Sequence, residues 1–323
     1  MNVSETMAPV SVAQPTDPSM APLLSALPDL SITDETLPVM RTLLSQSLVP
    51  TPEGVDIAEH VVDAERDVIL RVMQPPDRAP GTTTGCVLDI HGGGYVIGNR
   101  LIDDGRNAGW AIALGCPVAS VEYRLAPDHA YPAAIDDCYD ALVWLHEHAD
   151  ELGVDPARIG VAGTSAGGGL AAALALRVRA RGGPSLAFQF LDSPMLDDRR
   201  TSPSSRQDGL LIWSRESNAF GWAAYLGSRF GGDDVPDDAA PARAEDLSGL
   251  PPALVTVGSI DGFRDEDIAY AVRLNQAGVP TELHVYPGAP HGFTMFGGTA
   301  VAQQADDDAV RWLARQLGVD VRR

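Results

Sequence analysis

The sequence predicts an α/β fold with a mostly parallel central sheet covered by helices on both faces. Three observations carry that expectation. Short apolar runs of β character alternate with stretches of helical spacing, and such alternation packs as a sheet between helices. Two of the apolar runs end in glycine-rich turns, His91-Gly92-Gly93-Gly94-Tyr95 and Gly163-Thr164-Ser165-Ala166-Gly167. The alternation breaks once, over 197–246, where Arg, Ser and Asp surround Trp213, Phe220, Trp222, Tyr225 and Phe230.

The elements follow in order. Residues 1–28 hold five prolines among small and polar residues and are expected to carry little regular structure. Over 34–48, Leu37, Met40, Leu43, Leu44 and Leu48 recur at helical spacing, with Thr33 or Asp34 as the cap. Runs 57–62 and 68–73 read as paired strands, and 86–90 as the strand leading into the first glycine turn. A helix over 102–114, a strand over 118–123 and a helix over 133–148 come next. The strand 159–164 precedes the second glycine turn. The helix 166–181 is apolar nearly all round and must be buried. A strand over 186–191 precedes the break, which reads as a helical insertion. Strand 253–260, helix 265–277, strand 282–286 and helix 303–317 complete the set. The expected organisation is an N-terminal segment with cap helices (1–50), a core (51–196), a helical cap insertion (197–246) and the rest of the core (247–323).

Composition narrows the function classes. The net charge of −21, from 44 acidic against 23 basic residues, repels nucleic acid and anionic membranes. All 23 basic residues are arginine, which excludes Schiff-base lysines, a P-loop lysine and a Ser-Lys dyad. Cys86, Cys116 and Cys138 are odd in number, widely spaced and set in apolar stretches, as reduced buried thiols are. The first 40 residues lack Arg and Lys, and the most apolar stretch, 166–178, is too short to span a bilayer. A cytoplasmic protein acting on a small molecule is expected, without metal or cofactor, because no cluster of His, Cys and carboxylate ligands is evident.

The glycine turns carry the chemistry. Gly163 to Gly167 is a G-x-S-x-G pattern between a strand and a helix, which exposes the Ser165 hydroxyl on a sharp turn. Three successive glycines after another strand present bare backbone N–H groups, suited to an oxygen that becomes negative when an ester carbonyl is attacked. A serine nucleophile needs a base and an acid to orient it. Of seven histidines, His291 alone follows the last strand, where catalytic loops of such sheets gather. Asp261 is the first residue past the strand before it; Asp265 is the reserve. The order Ser165, Asp261, His291 is that of a strand-turn-helix serine hydrolase.

These residues resemble the bacterial hormone-sensitive-lipase-like carboxylesterases, the family IV lipolytic enzymes. The matching motifs are His91 to Tyr95, Glu122 to Pro127 (EYRLAP), Gly163 to Gly168 (GTSAGG, of the threonine subgroup), Asp261 to Glu266 (DGFRDE) and His291-Gly292-Phe293. The resemblance implies an α/β-hydrolase fold with a helical cap. Its site would have Ser165 as nucleophile, His291 as base and Asp261 as acid. Gly93, Gly94 and Ala166 would form the oxyanion hole, with Gly92 as a further candidate donor. His91 would brace the glycine loop, and Tyr95, Trp213 and Phe293 would wall the substrate pocket. It also implies a homodimer through the last edge strand. The expected reaction is hydrolysis of short- to medium-chain acyl esters. An amidase, lactonase or acyltransferase would share the acyl-enzyme step. A non-catalytic small-molecule receptor on this fold is opposed by the presence of His291.

Overall fold

The computed structural model describes residues 15–27, 30–46, 53–76, 78 and 81–322. Eight strands form one sheet: β1 (Asp56–Asp63), β2 (Val68–Gln74), β3 (Thr84–Ile90), β4 (Val118–Glu122), β5 (Val154–Thr164), β6 (Gln189–Asp192), β7 (Ala253–Gly258) and β8 (Thr281–Tyr286). Their spatial order is β1-β2-β4-β3-β5-β6-β7-β8. Only β2 runs against its neighbours, β1 and β4; every pairing from β4 to β8 is parallel. Parallel neighbours need crossovers, and helices supply them: α3 (Asp104–Leu114), α4 (Ala133–Glu147), α5 (Ala149–Leu152), α6 (Ala166–Arg181), α7 (Arg215–Leu226) and α8 (Arg264–Gln276); α1 (Ala21–Leu24) and α2 (Leu37–Gln46) precede the first strand and α9 (Ala300–Leu317) follows the last.

Side chains alternate across a strand, so each face of the sheet has its own core. Val87, Val118, Ala162 and Phe190 pack with Trp110 and Leu114 of α3 and Trp312, Leu313 and Leu317 of α9. Leu88, Val121, Val161 and Leu191 pack with α4, α6 and α8 on the other face. Helix α6 is buried from Ala166 to Val178. It lies so close to β3 that a Cβ at Gly167 would sit 1.9 Å from the Ile90 carbonyl oxygen. Glycine is weak in a helix by about 1 kcal/mol, but no larger residue permits this approach.

The Thr33 cap is present: Thr36 N–H donates to the Thr33 hydroxyl and Thr33 N–H to that of Thr36. Leu48 lies outside the described residues. Three expectations need correction. The proline-rich stretch is ordered over 15–27, because Met20 and Leu24 are buried against Tyr286, Phe293 and Val301. The strand expected over 186–191 is β6, which starts at Gln189; Ala187 N–H still donates to Ile159, but the chain bends there. Strand β5 begins at Val154, five residues before the expected start. The 197–246 stretch contains α7 and 3-10 turns and no strand. It meets the N-terminal segment where Ile32 N–H donates to the Ser217 hydroxyl at 2.9 Å.

Candidate active site

The carboxyl ends of neighbouring strands converge on one point. Strand β3 runs into the glycine turn, β5 into Ser165, β7 into the Asp261 loop and β8 into the His291 loop. Ligand sites in open parallel sheets form at these ends.

Ser165 sits between β5 and α6 at φ +58° and ψ −120°, a conformation that non-glycine residues rarely adopt. Its backbone is fixed on both sides. Its N–H donates to Asp192 at 2.8 Å, and its carbonyl accepts from Gly169 and Met195, both at 2.9 Å. The hydroxyl lies 2.9 Å from His291 Nε2, and His291 Nδ1 lies 2.8 Å from Asp261 Oδ2. An ionised carboxylate only accepts. The proton therefore resides on Nδ1, leaving Nε2 to accept from the serine. Asp261 is buried, and its other oxygen accepts from Phe263 N–H at 2.9 Å. Asp265 is elsewhere: it accepts from Ser204 N–H at 2.7 Å and Arg264 Nε at 2.8 Å.

The glycine turn lies beside the serine. A Cβ at Gly92 would be 3.3 Å from Ser165 Cβ. Gly93 (φ +116°) accepts from Val96 and Ile97 N–H, which closes the turn. Gly94 (φ +59°) lies against Trp213, whose Cη2 would be 2.0 Å from any Cβ there. Ala166 opens α6, so its N–H has no acceptor within the helix. His91 is buried behind the turn. Its Nδ1 lies 2.8 Å from the Gly92 carbonyl oxygen, its ring stacks on Tyr123 at 4.2 Å, and the Tyr123 hydroxyl donates to the His91 carbonyl at 2.9 Å. Burial pushes the His91 imidazole below its ordinary pKa, so it stays neutral and braces the turn.

Two of the three expected pocket walls lie elsewhere. Tyr95, at φ +66°, turns its ring into the core, where it stacks on Tyr225 at 4.0 Å and donates its hydroxyl to Met195. Phe293 lies in a 3-10 turn and packs on Tyr286 and α1. Trp213 remains over the glycine turn.

Three residues at the site escaped the sequence reading. Phe263 sets its ring edge-on to His291, with centroids 4.9 Å apart. Asp192, at the end of β6, accepts from Thr256 and Thr294 hydroxyls at 2.8 and 3.1 Å, and burial raises its pKa. Arg106 donates to the Thr164 hydroxyl at 2.6 Å and to Asp89 at 2.8 Å beneath the elbow. Burial pushes the Asp89 carboxyl up to about 6 despite this arginine. The signal for Asp192 was its place at a strand end; the other two had none.

Among the described residues, no three His, Cys, Asp or Glu side chains converge as metal ligands. No described helix is long and apolar enough to cross a membrane. The three cysteines are buried and unpaired.

The profile of a family described as the alpha/beta hydrolase fold matches residues 87–295. The chain is 36% identical to esterase LipI of Mycobacterium tuberculosis over 290 residues, which is 88% of this chain and 90% of that one. It is 38% identical to carboxylesterase NlhH of the same species over 303 residues, covering 90% and 92%. Among solved structures, a bacterial heroin esterase superposes with a TM-score of 0.87 at 40% identity, over 94% of this chain and 98% of that one.

Proposed function

Because this chain belongs to the α/β-hydrolase family, in its hormone-sensitive-lipase-like carboxylesterase branch, and is a serine carboxylic-ester hydrolase, we propose that Ser165, His291 and Asp261 are its catalytic triad. The observation that carries this reading is the unbroken relay from Asp261 through His291 to the Ser165 hydroxyl, at 2.8 and 2.9 Å. His291 Nε2 takes the hydroxyl proton as Oγ attacks the ester carbonyl. Asp261 holds the Nδ1–H tautomer and stabilises the imidazolium. The carbonyl oxygen becomes an oxyanion, which accepts from the N–H groups of Gly93, Gly94 and Ala166, with Gly92 as an alternative. One such donor is worth about 10²–10³ in kcat. His291 then protonates the departing alkoxide, leaving an acyl-Ser165 ester. Water, deprotonated by His291, attacks that ester and releases the carboxylic acid.

In the same reading, the described residues of 1–50 together with 197–246 form a cap over the described residues of the core units 51–196 and 247–323. Trp213 of the cap is seated on Gly94, one of the proposed oxyanion donors. The substrate is a small ester with a short- to medium-chain acyl group. The free edge of β8 supports a homodimer, which light scattering tests. Three unpaired buried thiols suit a reducing, cytoplasmic setting.

Hydrolysis of p-nitrophenyl esters of increasing acyl length, with Ser165→Ala as control, tests the assignment. Activity that survives in Ser165→Ala would refute it.

A further inference from the structure

The chain after the 3-10 turn Ser204–Arg206 crosses the mouth of the site. Side chains at 210, 212 and 213 are seated on the three loops that carry the chemistry. A Cβ at Gly262, next to Asp261, would lie 2.8 Å from Leu210 Cδ1. One at Gly292, next to His291, would lie 3.8 Å from Ile212 Cγ2. Trp213 occupies the corresponding place on Gly94. Leu211, between them, points to solvent. Beneath this seat Ser165 and His291 are each only 6% exposed. Between Leu210, Trp213 and Asp261 a cavity of about 10 Å³ remains, room for one water at most. The segment thus packs over the acid and base loops, with Ser165 and His291 largely covered beneath it.

The segment is also strained. Trp213 N–H donates to the Leu211 carbonyl at 2.8 Å, which closes a three-residue turn on Ile212. Ile212 stands at φ +71°. That is the rare, strained hand of the γ-turn, and a β-branched residue there is an outlier. Such strain persists only where the surroundings enforce it. Here the enforcing contacts are those of Ile212 with Gly292 and with the apolar cluster of Met20 and Phe293.

We propose that residues 209–213 form a gate over the site, and that the seating of Leu210 and Ile212 determines how large an ester is admitted. The gate closes by apolar contact and opens by releasing the turn at Ile212. A larger acyl group holds it further open. This proposal rests on the ester-hydrolase reading above and names the residues that set its substrate range.

Ile212→Ala keeps a Cβ at positive φ, so the strain remains while the seat is lost. Leu210→Ala removes the second seat and serves if the first variant does not fold. In either, the ratio of kcat/KM for the decanoyl to the acetyl p-nitrophenyl ester should rise roughly tenfold, a shift of about 1.4 kcal/mol. A loss of stability alone lowers both rates together and leaves that ratio unmoved. Amide hydrogen exchange of the parent enzyme gives a second readout. The Trp213 amide should exchange faster in an adduct of Ser165 with a long-chain alkylphosphonate than in one with methylphosphonate. An unchanged ratio in both variants, or equal Trp213 exchange in the two adducts, overturns the gate and leaves ester hydrolysis standing. Failure of both phosphonates to modify Ser165 overturns the ester-hydrolase reading and the gate with it.

Discussion

Replacing Asp261 by Asn is a sharp test of the relay, because the structure dictates how the new amide must sit. Phe263 N–H points at Oδ1 from 2.9 Å and requires an acceptor there, so the amide oxygen takes that position. The amide nitrogen is then left facing His291 Nδ1, across the 2.8 Å now spanned by the Asp261–His291 bond. An amide nitrogen only donates, so Nδ1 must become the acceptor and the ring proton moves to Nε2. The imidazole then presents a donor to Ser165 and cannot take its proton. The expected loss in kcat is on the order of 10⁴, or about 5.5 kcal/mol at 1.36 kcal/mol per decade. The fold should be untouched, since the substitution conserves shape and keeps one hydrogen bond. Initial rates on p-nitrophenyl butyrate, with thermal melts alongside, measure both. Asp265→Asn is the companion. It weakens the tie to Ser204 and Arg264, for about 1–3 kcal/mol of stability and little change in kcat. A crippled Asp265→Asn beside a mild Asp261→Asn would show that the wrong acid has been assigned.

Ser165→Ala should cut kcat on the order of 10⁶-fold and abolish labelling by an organophosphate; mass-mapping the adduct to Ser185 or Ser193 contradicts the assignment. Asp267 is wholly buried with no partner for either oxygen among the described residues, and burial holds its carboxyl well above the ordinary 3.8. The folded state keeps a proton that the unfolded chain releases above about pH 4, so this residue lowers stability as pH rises. Asp267→Asn should therefore gain about 1–3 kcal/mol over the parent near pH 8 and nothing near pH 3.5; a difference that does not grow with pH in melting experiments refutes this. Gly94→Ala should push Trp213 off the glycine turn and cost at least about 10² in kcat by displacing an oxyanion donor, and a near-normal kcat would remove Gly94 from the site. The kcat/KM should climb with acyl length from about two to eight carbons, at up to about 0.8 kcal/mol per buried CH₂, then fall; a rise continuing through sixteen carbons at an emulsion surface would mark a lipase.

What could be read beforehand was whatever has a local signature. The β and α runs follow hydrophobic period, and the elbow and glycine turn follow from glycine placement. His291 and Asp261 were found because strand ends locate loops. Side-chain direction has no such signature. Tyr95 stands beside the glycine turn in sequence, yet a positive φ turns it into the core, and Phe293 is carried away from the pocket by a 3-10 turn. Phe263 lies two residues after Asp261 in sequence, but the setting of its ring against His291 is a tertiary fact. The order in 15–27 depends on partners beyond residue 285, which no local period reveals. Arg106 and Asp89 are brought under the elbow by the crossover of α3, and their spacing from Thr164 gave no hint of it.

The arrangement of the strands also fixes when this protein can begin to work. The glycine turn, the elbow, the acid and the base hang from β3, β5, β7 and β8, joined only through parallel ladders between segments far apart in sequence. Contacts of that kind close slowly, because long loops must be ordered before any pairing rewards them. Asp261 and His291 share the unit β7-α8-β8, but Ser165 stands on β5, 126 residues before His291. With His291 as the proposed base, a chain emerging from the ribosome should stay inert until the loop after β8 has docked, and in a refolding reaction the return of catalysis should mark completion of the sheet. The elbow's backbone strain is held by bonds to the neighbouring strand end at Asp192 and to Met195, so the strained serine and its proposed partners come together with the assembled sheet.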